Sequence, residues 1–389
     1  MTKNINFQNA FENFLPEEVL KKRKYERKED IRGAYFRDLT AILHSYPFRR
    51  LRGKTQVFFS PRNDHICTRM EHSLHVASIA STIAKALGLD TELAWAIGLG
   101  HDIGHPPFGH LGEKIIATKI LKNQGFTHEK YSYRVLTKLT NYGRGLNLTY
   151  AVLDGILYHC GESFEKFISP NNLINNIEED SKLSIKLQSY PSSFEGCIVR
   201  MSDKIAYVGR DLEDALTLKL IFQEQIPINV RKILGIKNSQ IIDALVNDLI
   251  NDSFKTGKIS FSDKIYEVFL QLIEFNYKNI YLHEKLKIFE KNFSMILLTI
   301  YNYLSEIYYN YKFSFEKYLK EKNFLAIRFS DFIKKMYEFY NSESEKDSIY
   351  SPVIDYIAGM TDSYAIESAQ EILLPKRFHY DLEIGSLIE

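Results

Sequence analysis

The chain has 389 residues, 45% of them hydrophobic and 25% charged, which is enough apolar material for a large core under an ordinary globular surface. Lysine and arginine total 50 against 49 acidic residues, so a formal charge of +1 excludes a whole-molecule field for nucleic acid or membrane, and any anion site must be local. The three cysteines, Cys67, Cys160 and Cys197, lie far apart with no CxxC pair, which argues against a disulfide framework or a cysteine zinc cage.

Residues 1–18 contain no long apolar run and no later segment approaches the length of a membrane span, so the expectation is a cytoplasmic chain without membrane contact. Next in chain order, Leu74, Val76, Ala77, Ile79, Ala80, Ile83, Ala84 and Leu87 recur at helical spacing and stop at Gly88. A second helix is predicted from Asp90 and Thr91 to His101, followed by a Gly-Pro-rich connector from Gly104 to Gly112. The stretches 240–251, 264–276, 283–309 and 315–340 also follow the 3.6 period, and 341–352 reads as a polar connector. The predicted fold is all-α, with a helical core over residues 1–225 and a helical C-terminal region, 226–389, packed on it.

Five of the eleven histidines, His72, His75, His101, His105 and His110, crowd into TRMEHSLHVASIASTIAKALGL and AIGLGHDIGHPPFGHLGE. Imidazole nitrogen and carboxylate oxygen together suit divalent ions. His101 and Asp102 stand at the end of an apolar helix, and His72 comes alongside them if the two helices form an antiparallel hairpin turning near Gly88. A fourth ligand must come from farther along. Asp203 is the best candidate, because in IVRMSDKIAYVGRDLEDA it shares a helix face with Tyr207, Asp211 and Asp214. A lone His-Asp dipeptide would carry little weight, and His65, His75, His283 and His379 read as packing or solvated residues.

The set His72, His101-Asp102 and Asp203 resembles the HD superfamily of metal-dependent phosphohydrolases. Within it, HDIGHPPFGHLGE is similar to the deoxyguanosine triphosphate triphosphohydrolase family. RGAYFRDLTAILHSYPFRRLRGKTQVF (residues 32–58), GFTHEKYS, VLDGILYHCGE, SDKIAYVGRDLEDA and DYIAGMTDSYA resemble family blocks in the same order. The likeness covers most of residues 25–215 and a patch at 355–365, and it departs at Ser363, where arginine is usual.

The resemblance implies an HD-domain helical fold with one divalent ion between helices, held by His72, His101, Asp102 and Asp203. Manganese is favoured; magnesium, iron, cobalt, nickel and zinc are compatible. The implied reaction is hydrolysis of a deoxynucleoside triphosphate at the α-phosphate to deoxynucleoside and inorganic triphosphate. His110 and Glu113 are implied as an acid/base pair, His110 either activating water or protonating the leaving 5′ oxygen. The plainer reading is that the pair only fixes the loop. Gln56, Arg69, His105, His128, Lys204, Tyr207 and Asp211 are implied substrate contacts; Gln56 reads equally as a turn residue and His128 as a helix-start residue. The family also implies a homo-oligomer and an allosteric dNTP as partners, and a single-stranded DNA regulator is a further candidate partner. Two other readings compete: the same metal site acting on another nucleotide, and a non-catalytic sensor of nucleotide or single-stranded nucleic acid.

Overall fold

The computed structural model describes residues 11–374 apart from 29, 60–62, 161–163, 183–188 and 343–350. His379 and most of the connector 341–352 lie outside the described residues. The fold is all-α, as expected. Among the described residues the strands are Phe167–Ile168 and Ile259–Ser260, paired antiparallel with Phe167 opposite Ser260. No described helix is long and apolar enough to cross a membrane.

The helices used below are, in chain order, α1 (Gly33–Leu43), α2 (Arg69–Leu87), α3 (Thr91–Gly100), α4 (Gly109–Ile115), α5 (His128–Arg134), α6 (Tyr150–Leu157), α7 (Phe194–Thr217), α8 (Asn238–Thr256), α9 (Asp263–Asn276), α10 (Glu284–Tyr311), α11 (Phe324–Lys335), α12 (Pro352–Ala358) and α13 (Asp362–Leu373).

Local sequence fixes the hairpin that carries the histidines. Thr68 caps α2 by accepting from the Glu71 amide while the Glu71 carboxylate accepts from the Thr68 amide at 2.7 Å. The helix ends at Gly88, whose φ of 77° lets the chain reverse. Asp90 then caps α3, accepting from the amides of Glu92 and Leu93 at 2.8 and 2.9 Å. A Cβ on Gly98 would sit 2.6 Å from the Ala77 Cα, so glycine at 98 is what lets α3 lie against α2. Residues 77 and 98 flank Gly88 almost symmetrically, which makes the pair antiparallel and brings His72 level with His101.

Helix α7 packs across both members of the hairpin. Its start is tied there by Glu195, which accepts from the Asp90 amide at 3.0 Å and from Asn13 at 2.9 Å. Helix α6 rests on α3, with Gly155 against Ile97 and Gly100 against Ile156. Helices α3 and α6 therefore both deliver the residues that follow them to one end of the bundle.

Helices from residue 226 onward share the same apolar core. Phe293 of α10 stacks on Phe108 at 4.0 Å, and Asn276 donates to the Val208 carbonyl at 2.8 Å. The stretch 315–340, whose spacing follows the helical period, is helical in separate pieces. Lys322 adopts a left-handed φ of 52°, and Asn323 caps a new helix by accepting from the Ala326 amide at 2.7 Å. Helical periodicity runs through the interruption because the residues on both sides face the same core.

Candidate active site

Four side chains converge where α2, α3 and α7 meet. His72 Nε2 stands 2.9 Å from Asp203 Oδ1 and 3.7 Å from Asp102 Oδ2. His101 Nε2 stands 3.5 Å from Asp102 Oδ1 and 3.8 Å from Asp203 Oδ1. Ligands about 2.1 Å from one ion are separated by roughly 3–4 Å, so His72, His101 and Asp203 fit a single divalent cation, while Asp102 turns Oδ2 toward His72 and Oδ1 toward His101 beside them. The His101 ring supports that fit. Its Nδ1 donates to the Gly98 carbonyl at 2.7 Å, so a neutral ring turns the lone pair of Nε2 inward, where this buried atom has no hydrogen-bond partner.

The electrostatics favour ligation too. Burial lowers the pKa of His101 and keeps its ring neutral. Burial alone would raise the Asp102 carboxyl, but His105, His101 and Arg69 outweigh it and hold the group well below the ordinary range. Asp203 is likewise depressed against its burial, chiefly by its contact with His72. A neutral His101 beside ionised carboxylates is in the protonation state that a metal requires, whereas Asp203 and Asp102 outweigh burial at His72 and raise its pKa, so an ion there competes with a proton.

The connector after Asp102 folds over this centre. A Cβ on Gly104 would fall 2.1 Å from the Ser132 amide nitrogen, so the loop lies directly on α5. His105 is buried and stacks on His128 with ring centres 3.9 Å apart. Glu113 serves two imidazoles: its Oε2 is 3.3 Å from His110 Nδ1 and 3.1 Å from His128 Nδ1, and its Oε1 accepts from the His128 amide at 2.9 Å. His110 is the open member of the group, its side chain 67% exposed.

The expected substrate contacts are placed differently from one another. Tyr207 and Asp211 follow Asp203 along α7, and Asp211 accepts from the Tyr281 hydroxyl at 2.6 Å. Burial pushes the Asp211 carboxyl up to about 7. Lys204 lies 3.8 Å from Glu165 Oε2 and over the Phe164 ring. Gln56 is buried, with its Oε1 lacking a hydrogen-bond partner. Arg69 is turned inward: it pairs with Asp102 and donates to the carbonyls of Thr55 and Gln56 at 3.1 and 3.2 Å. That commitment makes Arg69 a support for Asp102.

Residues not singled out from sequence complete the site. His159 and Cys160 follow α6, and the His159 ring lies 4.9 Å from that of His101. Burial pushes the pKa of His159 down to about 3. A signal existed: both ILYHC and GLGHD place a histidine and a second ligand-type residue after an apolar helix, and each histidine donates Nδ1–H to the carbonyl three residues back. Lys54, also overlooked, is buried and donates from Nζ to the carbonyls of His105 and Ala358. Asp362 is a fourth such residue, accepting from the Phe108 amide at 2.8 Å and the Thr55 amide at 2.9 Å.

Comparison with known proteins identifies the family. Residues 69–207 match the HD domain model and residues 259–371 the phosphohydrolase-associated domain model. The chain is 39% identical to a deoxyguanosinetriphosphate triphosphohydrolase-like protein of Caldanaerobacter subterraneus subsp. tengcongensis, over 90% of this chain and 88% of that one. It is 37% identical to the like-named protein of Clostridium tetani over 90% of this chain and 88% of that one. The like-named protein of Clostridium perfringens is 35% identical over 94% of both chains.

Proposed function

Because the chain belongs to the deoxyguanosinetriphosphate triphosphohydrolase-like family of HD-domain proteins, we propose that it hydrolyses a deoxynucleoside triphosphate at the α-phosphate, releasing deoxynucleoside and inorganic triphosphate. The observation that carries this reading is the convergence of His72, His101, Asp102 and Asp203 beside the His110–Glu113 pair. Those four residues would hold one divalent ion, manganese by preference. An ion held there would supply Lewis-acid polarisation of a phosphate oxygen.

The protein's own residues supply the rest. Glu113 beside His110 Nδ1 keeps that nitrogen protonated, which leaves Nε2 to exchange a proton with the reacting oxygens. Water attacks the α-phosphorus, the bond to the 5′ oxygen breaks, and the departing alkoxide leaves protonated. Lys204 and His105 are proposed to meet the phosphates, and Tyr207 and Asp211 the sugar. His128, stacked on His105 and bonded to Glu113, orients both. Gln56, with its free buried oxygen, is proposed to contact the sugar or base.

The experiment is anion-exchange analysis of metal-stripped protein incubated with each dNTP, with manganese or magnesium added back, and with Asp102→Ala as control. Deoxynucleoside and triphosphate that appear only with metal and wild-type protein support the reading. Monophosphate with pyrophosphate, or no turnover of single or mixed dNTPs, refutes it.

An effector nucleotide is proposed at a second place. A cavity of about 960 Å³ away from the metal ligands is lined by Arg27, Arg50 and Lys335 together with Tyr131, Tyr142 and Tyr364. Its acidic residue, Asp355, is already bound by Arg134 at 2.9 and 2.7 Å, and Arg50 Nε is buried without a hydrogen-bond partner. A lining that holds both cations and aromatic rings suits a phosphorylated base. Activation of one dNTP's hydrolysis by another, lost in Arg50→Met, is the expected result; equal activation in the variant contradicts it.

A further inference from the structure

We propose that His128, His159 and Cys160 form a second metal site, beside the first, that takes a borderline-soft divalent ion such as zinc. The three donor atoms stand at the corners of a nearly equilateral triangle. Cys160 Sγ is 3.2 Å from His128 Nε2 and 3.2 Å from His159 Nε2, and the two nitrogens are 3.3 Å apart. Around a tetrahedral ion with bonds of about 2.0–2.3 Å, such atoms stand about 3.3–3.6 Å apart, so a few tenths of an ångström separate this triangle from a ligand set.

Both imidazoles are already oriented for ligation. His159 Nδ1 donates to the Ile156 carbonyl at 2.6 Å, and His128 Nδ1 donates to Glu113 at 3.1 Å. A histidine that ligates through Nε2 characteristically gives its other N–H to a carbonyl or a carboxylate, and here each ring has one. Those bonds aim both Nε2 atoms at the thiol. Without an ion the three atoms compete: two inward nitrogens and one sulfur share a single thiol hydrogen, unless His128 takes up a second proton. An ion satisfies all three at once.

The new site adjoins the first through Asp102. Its Oδ1 lies 3.5 Å from His101 Nε2 and 3.8 Å from His128 Nε2, so one carboxylate faces both donor sets. The chemistry of the sets differs. Two imidazoles and a thiolate select zinc or another borderline-soft ion, whereas two imidazoles and two carboxylates accept harder ions. His128 is then a ligand as well as a neighbour of the acid/base pair. The proposal does not depend on which nucleotide is the substrate.

The test is metal content by mass spectrometry together with the spectrum of the cobalt-substituted protein. Wild-type protein is expected to hold two equivalents of metal and to show a thiolate-to-cobalt charge-transfer band. Cys160→Ser is expected to lose the band, and His159→Ala to lose one equivalent, with the circular dichroism of both unchanged. A wild-type protein with one equivalent and no thiolate band overturns the proposal, whatever the variants do. Two equivalents and the band in a protein inert toward every dNTP would keep this site and defeat the proposed reaction instead.

Discussion

Asp362→Ala is expected to loosen the active-site wall from its far side. Asp362 opens α13 and is buried, and its two carboxylate oxygens divide their work. Oδ1 accepts from the Phe108 amide at 2.8 Å, two residues before His110, while Oδ2 accepts from the Thr55 amide at 2.9 Å and from its hydroxyl. Alanine leaves the buried Phe108 amide without a partner, at about 1–3 kcal/mol, and removes a half-buried pair at Thr55 worth about 1 kcal/mol. The total, about 2–4 kcal/mol, is a sizeable share of a typical folding stability. Urea unfolding at constant m-value measures it. Asp362→Asn keeps one acceptor oxygen and should fall between the two. Turnover should drop with stability, because the loop holding His110 loses its anchor. A loss under about 0.5 kcal/mol with unchanged kinetics would refute the claim that the C-terminal region braces the site.

His110→Ala should lower turnover about 10²–10⁴-fold without changing the melting temperature, since the ring is mostly solvent-exposed; steady-state rates and a thermal melt check both halves. Gly98→Ala drives a methyl into the Ala77 backbone, so a loss of about 1–3 kcal/mol is expected together with weaker metal binding, measured by denaturation and metal titration. Asp154 gives a pH dependence. Burial raises its carboxyl to about 6 in the folded protein, above the unfolded value, so the folded state holds the proton more tightly. Its contribution, about 3 kcal/mol, is therefore present below about pH 4 and lost as pH rises through 6. The stability difference between wild type and Asp154→Asn should shift by that order between acidic and neutral pH; a pH-independent difference contradicts the assignment.

The hairpin and the meeting of His72 with His101 were legible in the sequence because local chemistry writes them there. The apolar spacing of α2 stops at Gly88 and Asp90 starts α3, so the level of His72 against His101 follows from counting. Asp203, which stands beside His72, was singled out because a helix face carrying three carboxylates and a tyrosine needs a reason. What remained hidden depends on long-range contact or on side-chain direction. Asp362 meets Phe108 across 254 positions, and Tyr281 meets Asp211 across 70. Arg69 was expected to face phosphate, but spacing does not tell whether a cation points to the ligand or to the carboxylate behind it, and here it pairs with Asp102. The break at Lys322 was hidden because a left-handed lysine carries no glycine or proline signature.

The most direct test of the central account is hydrolysis of dGTP in heavy-oxygen water by the manganese-loaded protein, with mass spectrometry of both products. Attack at the α-phosphorus with release of the 5′ oxygen predicts one heavy oxygen in inorganic triphosphate and none in deoxyguanosine. Label in the nucleoside, or products cut between the α- and β-phosphates, would contradict it.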